Sequence, residues 1–191
     1  MTIVEIFSEL SNHMIKGMMV HDQMSNYYRF LGLNGYAKCH EYHFMKETCG
    51  YRKLQRYFIS RYNKLIPETE FNNPSIIPES WYAYTRQDVD ASTIKNAVKV
   101  GLTTWVDWER DTKDLYQRLN AELYDLGEIA TAKFLEEYIS DVDCEHKKAQ
   151  TYLLHKNAIG FDINEIVSEQ HHKHKKYEKH IEKIFQKSVD K

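Results

Sequence analysis

The chain has 191 residues, which suits one domain with a sizeable core. Seven Gly, three Pro and long uninterrupted segments rich in Lys, Glu, Leu and Tyr point to an all-α protein. A formal net charge of −2 supplies no whole-molecule field to draw in nucleic acid, so that partner is not expected. No signal-peptide pattern and no apolar run near roughly eighteen residues appears, so export and membrane spanning are not expected either. Cys39, Cys49 and Cys144 are odd in number with no CxxC pair. They read as free thiols in a reducing cytosol, which places the protein in the cytoplasm.

The first helical stripe, within residues 2–31, runs Phe7, Leu10, Met14, Gly17, His21, Met24, Tyr28 and Leu31. Gly32-Leu33-Asn34-Gly35 breaks it. The second stripe runs Ala37, His40, Phe44, Glu47, Tyr51, Leu54 and Phe58, and is expected to continue to about Leu65. Residues 66–90 then hold all three prolines (Pro67, Pro74, Pro78) and show no helical period. So long a connection usually has a job. Here it would carry the chain along the bundle so that the next helix starts at the far end.

Asp90 or Ser92 can cap the third helix. Its stripe is Val98, Leu102, Trp105, Thr112, Tyr116, Leu119 and Leu123, and Glu109 sits inside it. After a turn at Asp125-Leu126-Gly127, the fourth helix shows Ala132, Leu135, Ile139, Val142, Ala149 and Leu153, with His146 inside the stripe and Asp143 on its flank. These helices end near Leu123 and Lys156. Past Gly160 a fifth segment runs from Ile163 to about Gln186, with a polar HHKHKKYEKH middle. Within it HHKHKK (171–176) could bind a metal or a phosphate surface, but reads first as a solvated face, its charge balanced by Glu165, Glu169, Glu178 and Glu182. The expected organisation is a four-helix bundle over 1–158 and a C-terminal helix over 161–191, packed on the bundle or extending from it.

In an antiparallel hairpin, residues equidistant from the turn lie at one height. Glu109 stands seventeen residues before Leu126 and Asp143 seventeen after it. Glu47 lies about 22 Å from its own turn and Glu109 about 25 Å from the opposite end, at 1.5 Å per residue. The two distances add up to a bundle about 45 Å long. Glu47, Glu109, Asp143 and His146 are therefore expected at mid-bundle, with His21 and His43 a turn or two away. Buried unpaired carboxylates are costly, so they normally have partners or bind a metal. Carboxylates and imidazoles on facing helices are what a bundle core uses to hold iron or manganese. The bland alternative is a closed hydrogen-bond layer that fixes helix register, since a lone core His is more often a packing residue than a ligand.

Three stretches resemble the ferritin-like superfamily, ferritin and bacterioferritin in particular. GLNGYAKCHEYHFMKE (32–47) is similar to the turn and second helix, with Glu47 at the bridging glutamate. WERDTKDLYQRL (108–119) is similar to the third helix, with Glu109 at its metal glutamate. FLEEYISDVDCEH (134–146) is similar to the fourth, with Asp143 and His146 where bacterioferritin has Glu-x-x-His. The resemblance implies a ferritin-like bundle with a long crossover between helices 2 and 3, a fifth C-terminal helix, and a homo-oligomer. It also implies a metal cofactor, di-iron or mononuclear iron or manganese, held by Glu47, Glu109, Asp143 and His146, with His21 or His43 completing the set.

Two departures stand out. Gly50 occupies the position of the second-helix histidine, and no carboxylate lies near Met14 to Met18, where the first-helix glutamate would fall. Iron oxidation or storage, or an oxidase-like activity, is the leading expectation, with no catalytic residue assigned and enzyme status open. The alternative is a non-enzymatic interaction or structural protein whose metal site has decayed. A protective protein of the DNA-binding ferritin-like type is a third reading, and the low net charge speaks against it.

Overall fold

Thr2 starts the first helix with a reciprocal cap: its hydroxyl accepts the Glu5 amide while the Glu5 carboxylate accepts the Thr2 amide. Asp90 caps the third helix by accepting the Thr93 amide at 2.7 Å. The computed structural model describes residues 1–67, 83 and 85–189. Its helices are α1 (Ile3–Phe30), α2 (Asn34–Tyr62), α3 (Ala91–Asp125), α4 (Ile129–Ala158) and α5 (Ile163–Val189), with no strand among the described residues. None of these helices is long and apolar enough to cross a membrane.

The turns after α1 and α3 close in the same way. Gly32 and Gly127 adopt positive φ, which a residue with a Cβ resists, and the next amide reaches back to the last turn. Leu33 N–H donates to the Tyr28 carbonyl at 2.8 Å, and Glu128 N–H donates to the Leu123 carbonyl at 2.9 Å. These tight closures make α1–α2 and α3–α4 two antiparallel hairpins, and α5 lies along α2. α2 stops at Tyr62, three residues short of the expected Leu65, because Asn63 takes the left-handed conformation.

The end of α2 and the turn after α3 share one apolar cluster, in which Phe7 and Phe58 pack with Leu119, Leu123 and Leu135. The start of α3 shares a second cluster, at the other end, in which Tyr28 packs with Leu33, Val98, Leu102 and Ala149. The chain therefore crosses the length of the bundle between α2 and α3. Of that connection, Pro74 and Pro78 lie outside the described residues. Each fully buried Leu or Phe in these clusters stabilises the fold by roughly 1.5–3 kcal/mol.

The two clusters do not merge. A polar belt separates them, and it holds the candidate site.

Candidate metal centre

Four helices contribute to the belt. α1 brings His21, α2 brings His40, His43 and Glu47, α3 brings Glu109, and α4 brings Glu145. His21, His40, His43, Glu109 and Glu145 are all buried. Each follows the apolar spacing of its helix, so the packing that buries the stripe also buries the polar group.

Trp105 Nε1–H donates to Glu109 Oε1 at 2.9 Å. His21 Nδ1 and His40 Nδ1 share a hydrogen bond at 3.1 Å. His21 Nε2 stands 4.0 Å from Glu109 Oε1, and His43 Nε2 stands 3.7 Å from Glu145 Oε2, both beyond hydrogen-bond reach. His21 Nε2 and Glu145 Oε2 are thus buried atoms without a hydrogen-bond partner. The other Glu145 oxygen accepts from Lys46 at 3.2 Å and Lys148 at 2.9 Å.

Burial dominates the electrostatics. It pushes the Glu109 carboxyl up to about 8, against the Trp105 hydrogen bond, and the charge of Glu47 adds to the rise. Burial raises Glu47 to about 7, with Lys46 opposing and Glu145 contributing. The same loss of water drives His21 down to about 4, and His40 and His43 well below the ordinary imidazole value. Carboxylates that resist ionisation thus stand beside neutral imidazoles, with Lys46 and Lys53 as the cations on the cavity wall.

These groups border a cavity of about 340 Å³, lined by His43, Glu47, Glu109 and Glu145 together with Tyr116, Tyr138 and Lys46. Glu47 is only half-buried because it faces this space. Glu47, Glu109 and His43, all expected from the sequence, come together here, and His21 lies behind Glu109. Asp143 and His146 do not line the cavity. Asp143 bonds Lys113 at 2.6 Å and pairs with Lys147, and the Lys113 contact above all holds its carboxyl down at about 2. His146 is half-buried.

Glu145 occupies the inward position on α4. Sequence reasoning missed it, although Val142, Glu145 and Ala149 obey the same three-and-four spacing. Among the described residues, no three His, Cys, Asp or Glu side chains stand close enough to hold an ion as they are placed.

No family model matches the sequence, and no curated protein does. Solved structures do. A humanized archaeal ferritin superposes with a TM-score of 0.74 at 18% identity, over 90% of this chain and 94% of that one. An open pore ferritin from the hyperthermophilic archaeon Archaeoglobus fulgidus gives 0.72 at 17%, over 90% and 93%. A PmFTN variant soaked in iron gives 0.68 at 14%, over 87% and 96%.

The chain has the ferritin-like fold.

Two glycines lie beside the belt. Gly17 on α1 faces Glu47 at mid-bundle: a Cβ there would lie 3.6 Å from the Glu47 side chain and 3.3 Å from the Trp108 ring. No α1 carboxylate reaches this level, and Trp108 takes up the space. Gly50 on α2 lies under Tyr138, whose hydroxyl donates to the Gly50 carbonyl at 3.0 Å. A tyrosine ring from α4 thus covers the place where the resemblance puts a histidine.

Proposed function

We propose that this ferritin-like protein binds one divalent metal ion, iron(II) or manganese(II), in the mid-bundle cavity. Glu47, Glu109 and Glu145 would supply oxygen ligands and His43 a nitrogen, with His21 supporting Glu109. The observation that carries this reading is the convergence of three carboxylates, from three helices, on one cavity beside imidazoles that burial keeps neutral. The residues fit by type, since hard oxygen donors and imidazole suit both metals. Two buried atoms left without hydrogen bonds, His21 Nε2 and Glu145 Oε2, fit as well. The spacing does not yet fit, so a bound ion would draw the carboxylates inward, and the cavity leaves room for that movement.

Gly17 and Tyr138 over Gly50 argue for one ion rather than two. When bound, such an ion would supply positive charge and, as iron, one-electron chemistry. Trp105 would hold the Glu109 carboxylate in place, and Tyr116 and Tyr138 would exclude water. Iron handling and homo-oligomer assembly belong to the same reading, which is supported by the fold it shares with the ferritins. Manganese(II) added to metal-free protein should raise its melting temperature, and Glu109→Gln should remove that rise. A rise unchanged in the variant would overturn the assignment.

Lys46 favours a second reading, a bundle that works without metal. Its ammonium borders the cavity and pairs with Glu145, so it is already a resident cation. On that reading the belt is a register-fixing polar layer and the protein acts through its surface. Metal would then leave the melting temperature of the wild-type protein unchanged.

A further inference from the structure

A second cavity, of about 570 Å³, lies between α2, α4 and α5. Its lining includes Lys148, Lys176 and His180, with the rings of Tyr42, Tyr152 and Tyr177. The one carboxylate on its wall, Glu145, is already shared by Lys46 and Lys148. Lys147, also on the wall, pairs with Asp143. Lys176 has no carboxylate partner among the described residues and lies over the Tyr177 ring at 5.3 Å.

His180 is the informative group. Its Nδ1 is buried without a hydrogen-bond partner. The ring packs beside the paired rings of Tyr42, at 5.4 Å, and Tyr177, at 6.0 Å. Its basicity is depressed by burial first, then by the charges of Lys176, Lys183 and Lys148. Three ammonium groups thus bear on one imidazole from two helices; Lys148 is paired with Glu145 at 2.9 Å, while Lys176 and Lys183 have no carboxylate partner among the described residues. A feature built that way is short of an anion.

We propose that this cavity binds a phosphate group, with Lys148, Lys176 and His180 as its donors. The shared chemistry is a tetrahedral oxyanion, whether free or carried on a nucleotide whose base lies against the tyrosine rings. The volume falls in the range of small-molecule sites, and the aromatic wall gives a flat ring somewhere to stack. Charge-assisted bonds from lysine to phosphate oxygens are among the strong hydrogen bonds. This site uses cations and rings that the metal reading leaves idle, and His43 and Glu145 line both cavities.

The test uses the full chain, metal-free, at low salt and fixed pH, so it does not depend on metal binding. Inorganic phosphate and adenosine monophosphate are titrated separately while the His180 ring resonances are followed by NMR, with adenosine as the control. Saturable movement of the His180 signals with either phosphate compound, weakened roughly tenfold by Lys176→Gln, is the expected result. Tighter binding of the monophosphate than of phosphate assigns a nucleotide, and equal binding assigns the free oxyanion. Absence of saturable movement, equal binding of adenosine, or affinity unchanged in Lys176→Gln would overturn the proposal. Lys176 is exposed, so the variant leaves the core untouched.

Discussion

Nδ1 of His21 lies 3.1 Å from Nδ1 of His40 at the dry centre of the bundle, so one must donate and the other accept. Burial keeps both rings neutral, with opposite protonation at Nδ1. A proton added to the accepting Nδ1 would break the bond, and a proton added to either ring would bury a charge. His21 titrates at about 4 in the folded chain against 6.5 for an ordinary imidazole. Its contribution to stability is complete above pH 6.5 and is lost as pH falls towards 4. Chemical denaturation of metal-free protein should show that loss, and His21→Phe should reduce the slope across this window. An unchanged slope would mean that acid sensitivity arises elsewhere.

Glu109 works in the opposite direction. Its folded-state value of about 8 lies above the ordinary 4.5, chiefly through burial. The stability linked to its proton is present below pH 4.5 and is lost as pH rises through 8. In metal-free protein Glu109→Gln should stabilise at pH 8, by on the order of a few kcal/mol, and be close to neutral at pH 4. Urea midpoints at the two pH values measure this directly. A variant destabilised equally at both would show that the carboxylate is well paired without metal.

Gly101 on α3 is where the hydroxyl of Tyr28 presses on the backbone, so a Cβ there would overlap that oxygen. The Tyr28 hydroxyl is itself buried without a hydrogen-bond partner. Gly101→Ala should cost about 1–3 kcal/mol by overpacking. Tyr28→Phe, which removes an unpaired oxygen but leaves Cζ 2.7 Å from the added Cβ, should recover part of that cost in the double variant. Additive losses in the thermal denaturation of the two single variants would contradict the contact.

Gly35 holds α5 against α2 at the level of the backbone. Its amide donates to the Gln170 side chain at 2.8 Å, and a Cβ there would collide with the Gln170 main chain. Gly35→Ala should loosen α5 while leaving the four-helix core folded. Hydrogen exchange would then rise in α5 and along its face of α2, and stay unchanged in α3.

The helices and the position of Glu109 were legible in the sequence because apolar spacing and glycine punctuation are local signals. Glu47 was legible too, since its height follows from counting residues to a turn. The inward face of α4 was not. Val142 and Ala149 are seven apart, and either Glu145 or His146 can fill the gap between them at helical spacing. In the fold Glu145 is buried and Asp143 pairs with Lys113 of the neighbouring helix, and no local pattern carries that information.

Burial by α5 is equally non-local. Lys156 is 0% exposed because Glu165 and Glu169 of α5 close over it at 3.0 and 2.8 Å. Lys173, within a run that reads as solvated, is buried with its ammonium over the Tyr152 ring at 3.8 Å.

The central claim, that the mid-bundle carboxylates take a cation, is tested most directly by calorimetric titration of iron(II) into metal-free protein without oxygen. Wild type should bind about one ion per chain. Glu145→Gln should abolish or strongly weaken the binding heat, while Asp143→Asn leaves it intact. No binding by wild type, or equal loss in both variants, would contradict the account.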